Sequence, residues 1–211
     1  MKVSLTQSDV HPSAQSFSKR IIDVIGSVIG LIVLAIVFLP IACAVKLDSP
    51  GPIFYQQCRC GLGGCNFTLY KFRTMVRNAE QLKGLIENEA NGAIFKNRND
   101  PRVTRIGRFL RKTSLDELPQ FWNVLRGEMS LVGTRPPTPD EVVHYSERHW
   151  LRLRVKPGLT GVWQVYGRSN IKDFDEVVEL DLRYQMLWSP IYDLVLIWKT
   201  FFVLLFQEGA Y

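Results

Sequence analysis

Cysteine and histidine are scarce in this chain, and neither forms a metal-binding pattern. The four cysteines are Cys43, Cys58, Cys60 and Cys65. Cys58-Arg59-Cys60 followed by Cys65 lacks the CxxC-like spacing and the neighbouring histidine of a tetrahedral zinc site. An even count alone defines no disulfide framework, so a reducing setting is expected. His11, His144 and His149 form neither a metalloprotease motif nor a triad. There is no GxGxxG, no Walker loop and no GxSxG, which removes the local signatures of dinucleotide binding, P-loop chemistry and serine hydrolysis. No internal repeat is visible, so a solenoid or propeller is excluded. Charge is missing from Val24 through Val45, 22 residues in succession.

What is present is otherwise ordinary. The 211 residues suit one domain with appendages better than two domains of ~150 residues each. Hydrophobic residues at 46% and charged residues at 22% exclude a disordered or collagenous chain. The net charge of +6 suits nucleic acid, phosphorylated ligands or an anionic membrane face without choosing among them. Residues 1–16 are polar, and residues 1–18 read as a flexible tail.

At about 1.5 Å per residue, the uncharged run is long enough to cross a roughly 30 Å hydrocarbon core. A signal peptide would have a shorter apolar region and a small-residue cleavage site, whereas Lys46-Leu47-Asp48-Ser49-Pro50 follows here. Pro40 removes a backbone donor near the end of the run, so a bend or break is expected there. Lys19 and Arg20 precede the segment and Lys46 follows it, a symmetry that a re-entrant hairpin with both ends in the cytoplasm satisfies. A plain kinked spanning helix fits the same composition. Residues 187–206 are apolar apart from Asp193 and Lys199, and suit an interfacial helix at least as well as a second span.

Turn residues at 49–52 and 61–64 flank short runs at 53–55 and 67–70 that read as strands. Val76, Ala79, Leu82, Leu85 and Ile86 recur at helical spacing, predicting a helix over 76–90 that Asn91-Gly92 would end. A further helix is predicted from Pro119 to about Leu125. Gly158-Leu159-Thr160-Gly161 and Gly167-Arg168-Ser169 suit either plain turns or loops approaching a phosphate.

Arg105, Arg108 and Arg111 recur every three residues, and Asp116-Glu117 follow directly. Guanidinium groups bind phosphate through paired, charge-assisted bonds, and an adjacent carboxylate can act as nucleophile or metal ligand. A structural account competes with this one, because Ser114-Leu115-Asp116-Glu117 also has the capping-box pattern.

Taken in order, the motifs are recognisable. They are Lys19-Arg20 with Asp23, Lys46 through Pro52, Tyr70-Lys71-Phe72-Arg73-Thr74-Met75, Arg111 through Gln120, Met129 through Gly133, Arg135-Pro136, and Lys156 through Gly161 with Gly167-Arg168. In this arrangement the chain resembles the bacterial sugar transferases of the monotopic phosphoglycosyl transferase family, in the short form with one membrane segment. The resemblance runs from about residue 17 to 206.

The resemblance implies an α+β, mostly helical fold. Residues 19–47 would form a re-entrant membrane helix broken near Pro40, and residues 48–211 a cytosolic, membrane-associated catalytic domain with short strands and amphipathic interfacial helices. It also implies transfer of a sugar 1-phosphate from a UDP-sugar to polyprenyl phosphate, with release of UMP, at the bacterial inner membrane. Asp116 would be the nucleophile, and Glu117, with Asp116, would hold Mg2+. Arg111, Arg135 and Arg168, together with Lys71 and Arg73, would contact phosphates. The partners expected are the UDP-sugar, the polyprenyl phosphate lipid and the membrane; a homo-oligomer is compatible, and nucleic acid is not expected. Two positions depart from the usual pattern: Thr134 stands where a proline often precedes Arg-Pro, and Glu128 where aspartate is common. A catalytically silent scaffold binding the same ligands is the alternative, against which the intact Asp116-Glu117 pair argues.

Overall fold

Ser16 begins the first long helix by accepting a hydrogen bond at Oγ from the Lys19 amide, which satisfies a donor with no partner inside the helix. In the computed structural model, which describes residues 10–92, 95, 97, 99–167, 171 and 173–205, a short helix α1 (Pro12–Gln15) precedes it. This segment is docked, contrary to the flexible tail expected there. The His11 amide donates to the Arg154 carbonyl, the His11 ring meets the Gln185 carbonyl at 3.0 Å, and Ser13 is buried.

The long helix, α2 (Phe17–Asp48), runs through Pro40 without interruption, so the expected break is corrected. Proline cannot donate to the carbonyl one turn back, but losing one bond in so long a helix does not end it. The helix stops instead at Ser49-Pro50, where the chain becomes extended.

The buried positions of α2 are Lys19, Asp23, Ser27 and Gly30, spaced by three and four residues toward one end, and Ile41, Ala42 and Val45 toward the other, with the partly buried Leu34, Val37 and Phe38 between them. At one end Lys19 Nζ meets Asp193 at 2.7 Å, and Asp23 Oδ1 accepts from the Leu131 amide. At the other end Ile41 and Val45 pack with Phe72 and Leu110, and Asp48 accepts from the Ile106 amide. Between them Gly30 lies so close to Phe121 that a Cβ would sit 2.3 Å from its ring. The rest of the protein therefore lies alongside α2 and does not hang from one end. The opposite face, including Ile25, Ile29, Ile36 and Leu39, is bare, with Ile36 73% exposed.

The short runs read as strands extend to β1 (Phe54–Cys60) and β2 (Asn66–Phe72), which form a regular hairpin, antiparallel from Phe54↔Phe72 to Cys60↔Asn66. Gly63 and Gly64 turn it with φ of 66° and 77°, a left-handed region open to glycine. The helix predicted over 76–90 does not form: turns and one 3-10 turn at Lys83–Leu85 replace it. The Ala79 carbonyl accepts from Arg102, the Val76 amide donates to the Arg102 carbonyl, and Leu85 is 82% exposed. Helical periodicity had no surface to bury against, and contacts with the 100–103 segment took its backbone groups.

Helix α3 (Arg105–Lys112) and helix α4 (Gln120–Arg126) follow, the second matching its prediction. Strand β3 (Ser130–Val132) leads through α5 (Pro139–Val143) and α6 (Glu147–Trp150) to β4 (Gly158–Thr160), which pairs parallel with β3. The chain ends in α7 (Val162–Tyr166), α8 (Phe174–Leu187) and α9 (Pro190–Leu205). Leu69, Val124, Met129, Val132, Tyr184 and Leu196 form the core between the hairpin, α4, β3, α8 and α9. Helix α9 buries Asp193 and Leu196 and leaves Ile191, Trp198 and Phe201 bare, with Trp198 65% exposed. Among the described residues only α2 is long and apolar enough to cross a membrane. The fold is thus mostly helical with a few short strands.

Candidate active site

The acidic pair owes its position to a sharp change of direction after α3. That helix is capped at its start by Thr104 Oγ1, which accepts from the Gly107 amide, and it ends at Thr113. Ser114 then adopts φ 55° and ψ 17°, the single left-handed residue other than glycine among those described. Such a conformation costs on the order of 1 kcal/mol or more and persists where its surroundings demand it. A 3-10 turn, Leu115–Glu117, follows and presents Asp116 and Glu117 in succession before α4. The Ser114 side chain does not cap this turn, so the capping-box account of the pair falls.

Asp116 is only 6% exposed. Burial pushes its pKa up to about 6, the Lys71 ammonium opposes this, and the Glu117 carboxylate adds to it. The group is therefore a poorly solvated carboxylate, still mostly ionised at neutral pH. Glu117 is more open and accepts from Lys71 Nζ at 2.7 Å. Strand β2 supplies that lysine opposite Tyr55 on β1. From the last turn of α3, Arg111 donates through Nε to Thr74 Oγ1 at 3.0 Å. Burial lowers its pKa and the nearby Asp116 charge raises it.

Arg135 follows β3. Its Nη1 lies 3.2 Å from both oxygens of Glu141, which also accepts from the Thr138 amide in the capping box of α5. The Thr134 departure is compensated here. Its carbonyl accepts from the Gly158 amide at 2.8 Å and its hydroxyl donates to the Arg152 carbonyl, so hydrogen bonds hold the loop that a proline ring would have stiffened. Glu128, the other departure, accepts from Asn123 Nδ2 at 2.7 Å, away from the acidic pair.

Lys71, Arg111, Arg135, Asp116 and Glu117 all line one open cavity of about 1270 Å³. Arg73 also touches it, but its guanidinium is engaged elsewhere. Nε donates to the Pro52 carbonyl, Nη1 to Ser49 Oγ and the Pro50 carbonyl, and Nη2 to the Ser49 and Val45 carbonyls. It fastens the C-terminal end of α2 to the following loop, and its expected phosphate contact is corrected to this structural one. Arg168 lies outside the described residues.

Two arginines that sequence reasoning passed over belong to the site's frame. Arg152 is 1% exposed and donates to Asp181 at 2.6 and 2.9 Å, to Tyr145 Oη, and to the Arg135 carbonyl at 3.4 Å, so it braces the loop carrying Arg135. Arg59 lines the cavity from β1. Strand alternation was the available signal: Tyr55, Gln57 and Arg59 share the face on which Lys71 stands opposite Tyr55.

The chemical content of this arrangement is a buried carboxylate beside a lysine-bridged one, in a cleft rich in cations. The chain is 49% identical over 195 residues to the galactosyl transferase CpsE of Streptococcus agalactiae, an alignment covering 92% of this chain and 43% of that protein. It is 41% identical over 211 residues to the undecaprenyl-phosphate galactose phosphotransferase of Salmonella typhimurium, covering 97% and 44%. It is 40% identical over 201 residues to the exopolysaccharide production protein ExoY of Sinorhizobium fredii, covering 92% and 88%. The chain thus spans under half the length of the first two relatives and most of the third. The family model described as bacterial sugar transferase matches residues 14–207, nearly the whole chain, and the chain therefore belongs to that family.

Proposed function

We propose that the protein moves a sugar 1-phosphate from a UDP-sugar to polyprenyl phosphate, through a covalent intermediate on Asp116. The observation that carries this reading is the position of Asp116: a buried carboxylate, lining the cavity, with Lys71 and Arg111 close enough to perturb it electrostatically. An Oδ atom of Asp116 attacks the phosphorus bonded to the sugar, and the bond from that phosphorus to the bridging oxygen breaks. UMP leaves with the bonding electron pair. A phosphate oxygen of the lipid then attacks the same phosphorus, the bond to Asp116 breaks, and the carboxylate is regenerated. Desolvation favours the first step, because a carboxylate stripped of water holds its charge less comfortably and is a better nucleophile. Lys71 and Arg111 oppose the repulsion between that carboxylate and the phosphate oxygens.

The donor set suits a magnesium ion held by one or two carboxylates together with substrate phosphates, not an all-protein cage. Among the described residues no group of three or more acidic, histidine or cysteine side chains converges to hold a metal. Glu117, the more exposed carboxylate, would hold the ion, with Asp116 beside it. When bound, the metal would supply charge neutralisation at the diphosphate. Lys71 keeps Glu117 oriented toward the cavity in the meantime.

For the membrane, the reading is that α2, helical throughout, bends at Pro40 without breaking, so that it dips into the cytoplasmic leaflet and returns, leaving the catalytic domain in the cytoplasm. Its support is that both ends of α2 contact the same domain while its outer face is bare and apolar. Helix α9, with its own bare face, would lie in the headgroup region. Single cysteines introduced at the N-terminus and near residue 100, in a background freed of the four native ones, should be labelled from the same side of sealed vesicles. Labelling from opposite sides would replace this reading with a spanning helix.

The reaction itself is tested by incubating the full chain with magnesium and a panel of labelled UDP-sugars, without and then with undecaprenyl phosphate. Label should appear on the protein, with UMP released, and then pass to the lipid. Absence of UMP from every donor, with the protein folded, would favour the silent scaffold.

A further inference from the structure

Arg59 is a cation of the cavity to which the proposed chemistry gives no role. Arg59 lies on β1, and its guanidinium donates through Nε and Nη2 to Gln57 Oε1 at 3.0 and 2.6 Å, and through Nη1 to the Pro136 carbonyl at 2.8 Å. All these acceptors are neutral. Among the described residues no carboxylate is paired with it, whereas Lys71, Arg102 and Arg135 of the same cavity pair with Glu117, Asp100 and Glu141. A guanidinium carries five N–H groups, and these bonds use three.

Electrostatics makes the position stressed. Burial and the neighbouring charge of Arg135 push the pKa of Arg59 down to about 10, so it remains a cation at neutral pH beside another cation. Glu141 and, more weakly, Glu117 offset part of this, but neither carboxylate is bonded to the half-buried Arg59. Such an arrangement is costly unless an anion completes it. Gln57 and the Pro136 carbonyl orient the guanidinium fork without neutralising it, and an oxygen-rich anion fits the N–H groups that remain.

We propose that Arg59 is an anion-binding residue of this site, holding the oxygens of a phosphate group beside Arg135. The identity of that phosphate rests on the transferase reading: it belongs either to the nucleotide part of the donor or to the lipid acceptor. The function of Arg59 is then to set substrate affinity, since Asp116 and Glu117 perform the chemistry.

The test is calorimetric titration of inorganic pyrophosphate into the full chain in detergent, for wild type, Arg59→Gln and Arg59→Lys. The glutamine variant should bind about tenfold or more weakly, as expected for loss of a charge-assisted contact, with lysine intermediate. Absent binding in wild type, or equal binding in all three, overturns the proposal. Should Arg59→Gln fail to fold, Arg59→Lys decides, because it keeps the charge and a donor for the Pro136 carbonyl; weaker binding at an unchanged Tm supports the proposal and unchanged binding overturns it. Repeating the titration with UMP and with undecaprenyl phosphate separates the two sources. Weakened UMP binding assigns Arg59 to the donor, weakened lipid binding assigns it to the acceptor, and no change in either overturns the proposal. A wild type that binds these phosphates through Arg59 but turns over no UDP-sugar would sink the transferase reading alone; turnover with binding indifferent to Arg59 would sink this one alone.

Discussion

Asp116→Asn is expected to reduce sugar-phosphate transfer by on the order of 10³-fold or more, with no loss of thermal stability. Asparagine preserves the shape of the side chain but removes the nucleophilic charge. It also removes a buried carboxylate whose desolvation is unfavourable, so the folded state should lose little. Steady-state kinetics and a melting curve on the same preparation decide the matter, together with labelled donor, which should no longer mark the protein. A variant that retained turnover but melted lower would show that Asp116 serves only to shape the turn after Ser114. Glu117→Gln forms the useful companion. Its bond to Lys71 is partly exposed and contributes little to stability, so the expected result is a lower rate and a weakened response to magnesium at nearly unchanged Tm.

The largest expected loss of stability lies at a different pair. Arg152 and Asp181 are each 1% exposed and are joined at 2.6 Å. Replacing Asp181 with alanine would leave a guanidinium buried without its counter-charge, a loss of about 3–5 kcal/mol for such pairs. At roughly 2–4 °C per kcal/mol for a chain of this size, the melting midpoint should fall by about 6–20 °C. Arg152→Met with Asp181→Leu removes both charges together and should recover much of that loss. A shift under about 2 °C for Asp181→Ala would mean that water or a neighbouring group replaces the carboxylate. Because Arg152 also donates to the Arg135 carbonyl, the double variant should recover stability more completely than activity.

Several features were legible locally because they depend on composition and short-range spacing. The uncharged run became α2, the turn-flanked apolar runs became the β1–β2 hairpin, and the stretch after Pro119 became α4. The acidic pair was also visible, since adjacent carboxylates after a basic helix are a property of neighbouring residues. The helix read over 76–90 shows the boundary of such reasoning: the apolar spacing was present, but a helix of that kind needs a surface to cover, and the Arg102 segment engaged its backbone groups instead.

Charge partners were decided by the tertiary structure alone. Arg73, Arg135 and Arg59 are all arginines in or beside the cavity, and nothing local distinguishes them. Packing gives Arg73 the carbonyls at the end of α2, gives Arg135 the Glu141 carboxylate, and leaves Arg59 with neutral acceptors. Pro40 belongs to the same class, because a proline states only that one hydrogen bond is missing, while the contacts along both halves of α2 decide whether the helix continues. The sequence by itself determined which segments are apolar, which turn and where the acidic pair stands, through backbone preference and periodicity. Only the tertiary structure decided which cations remain available to an anion, because a guanidinium's partner comes from chain segments far away in sequence.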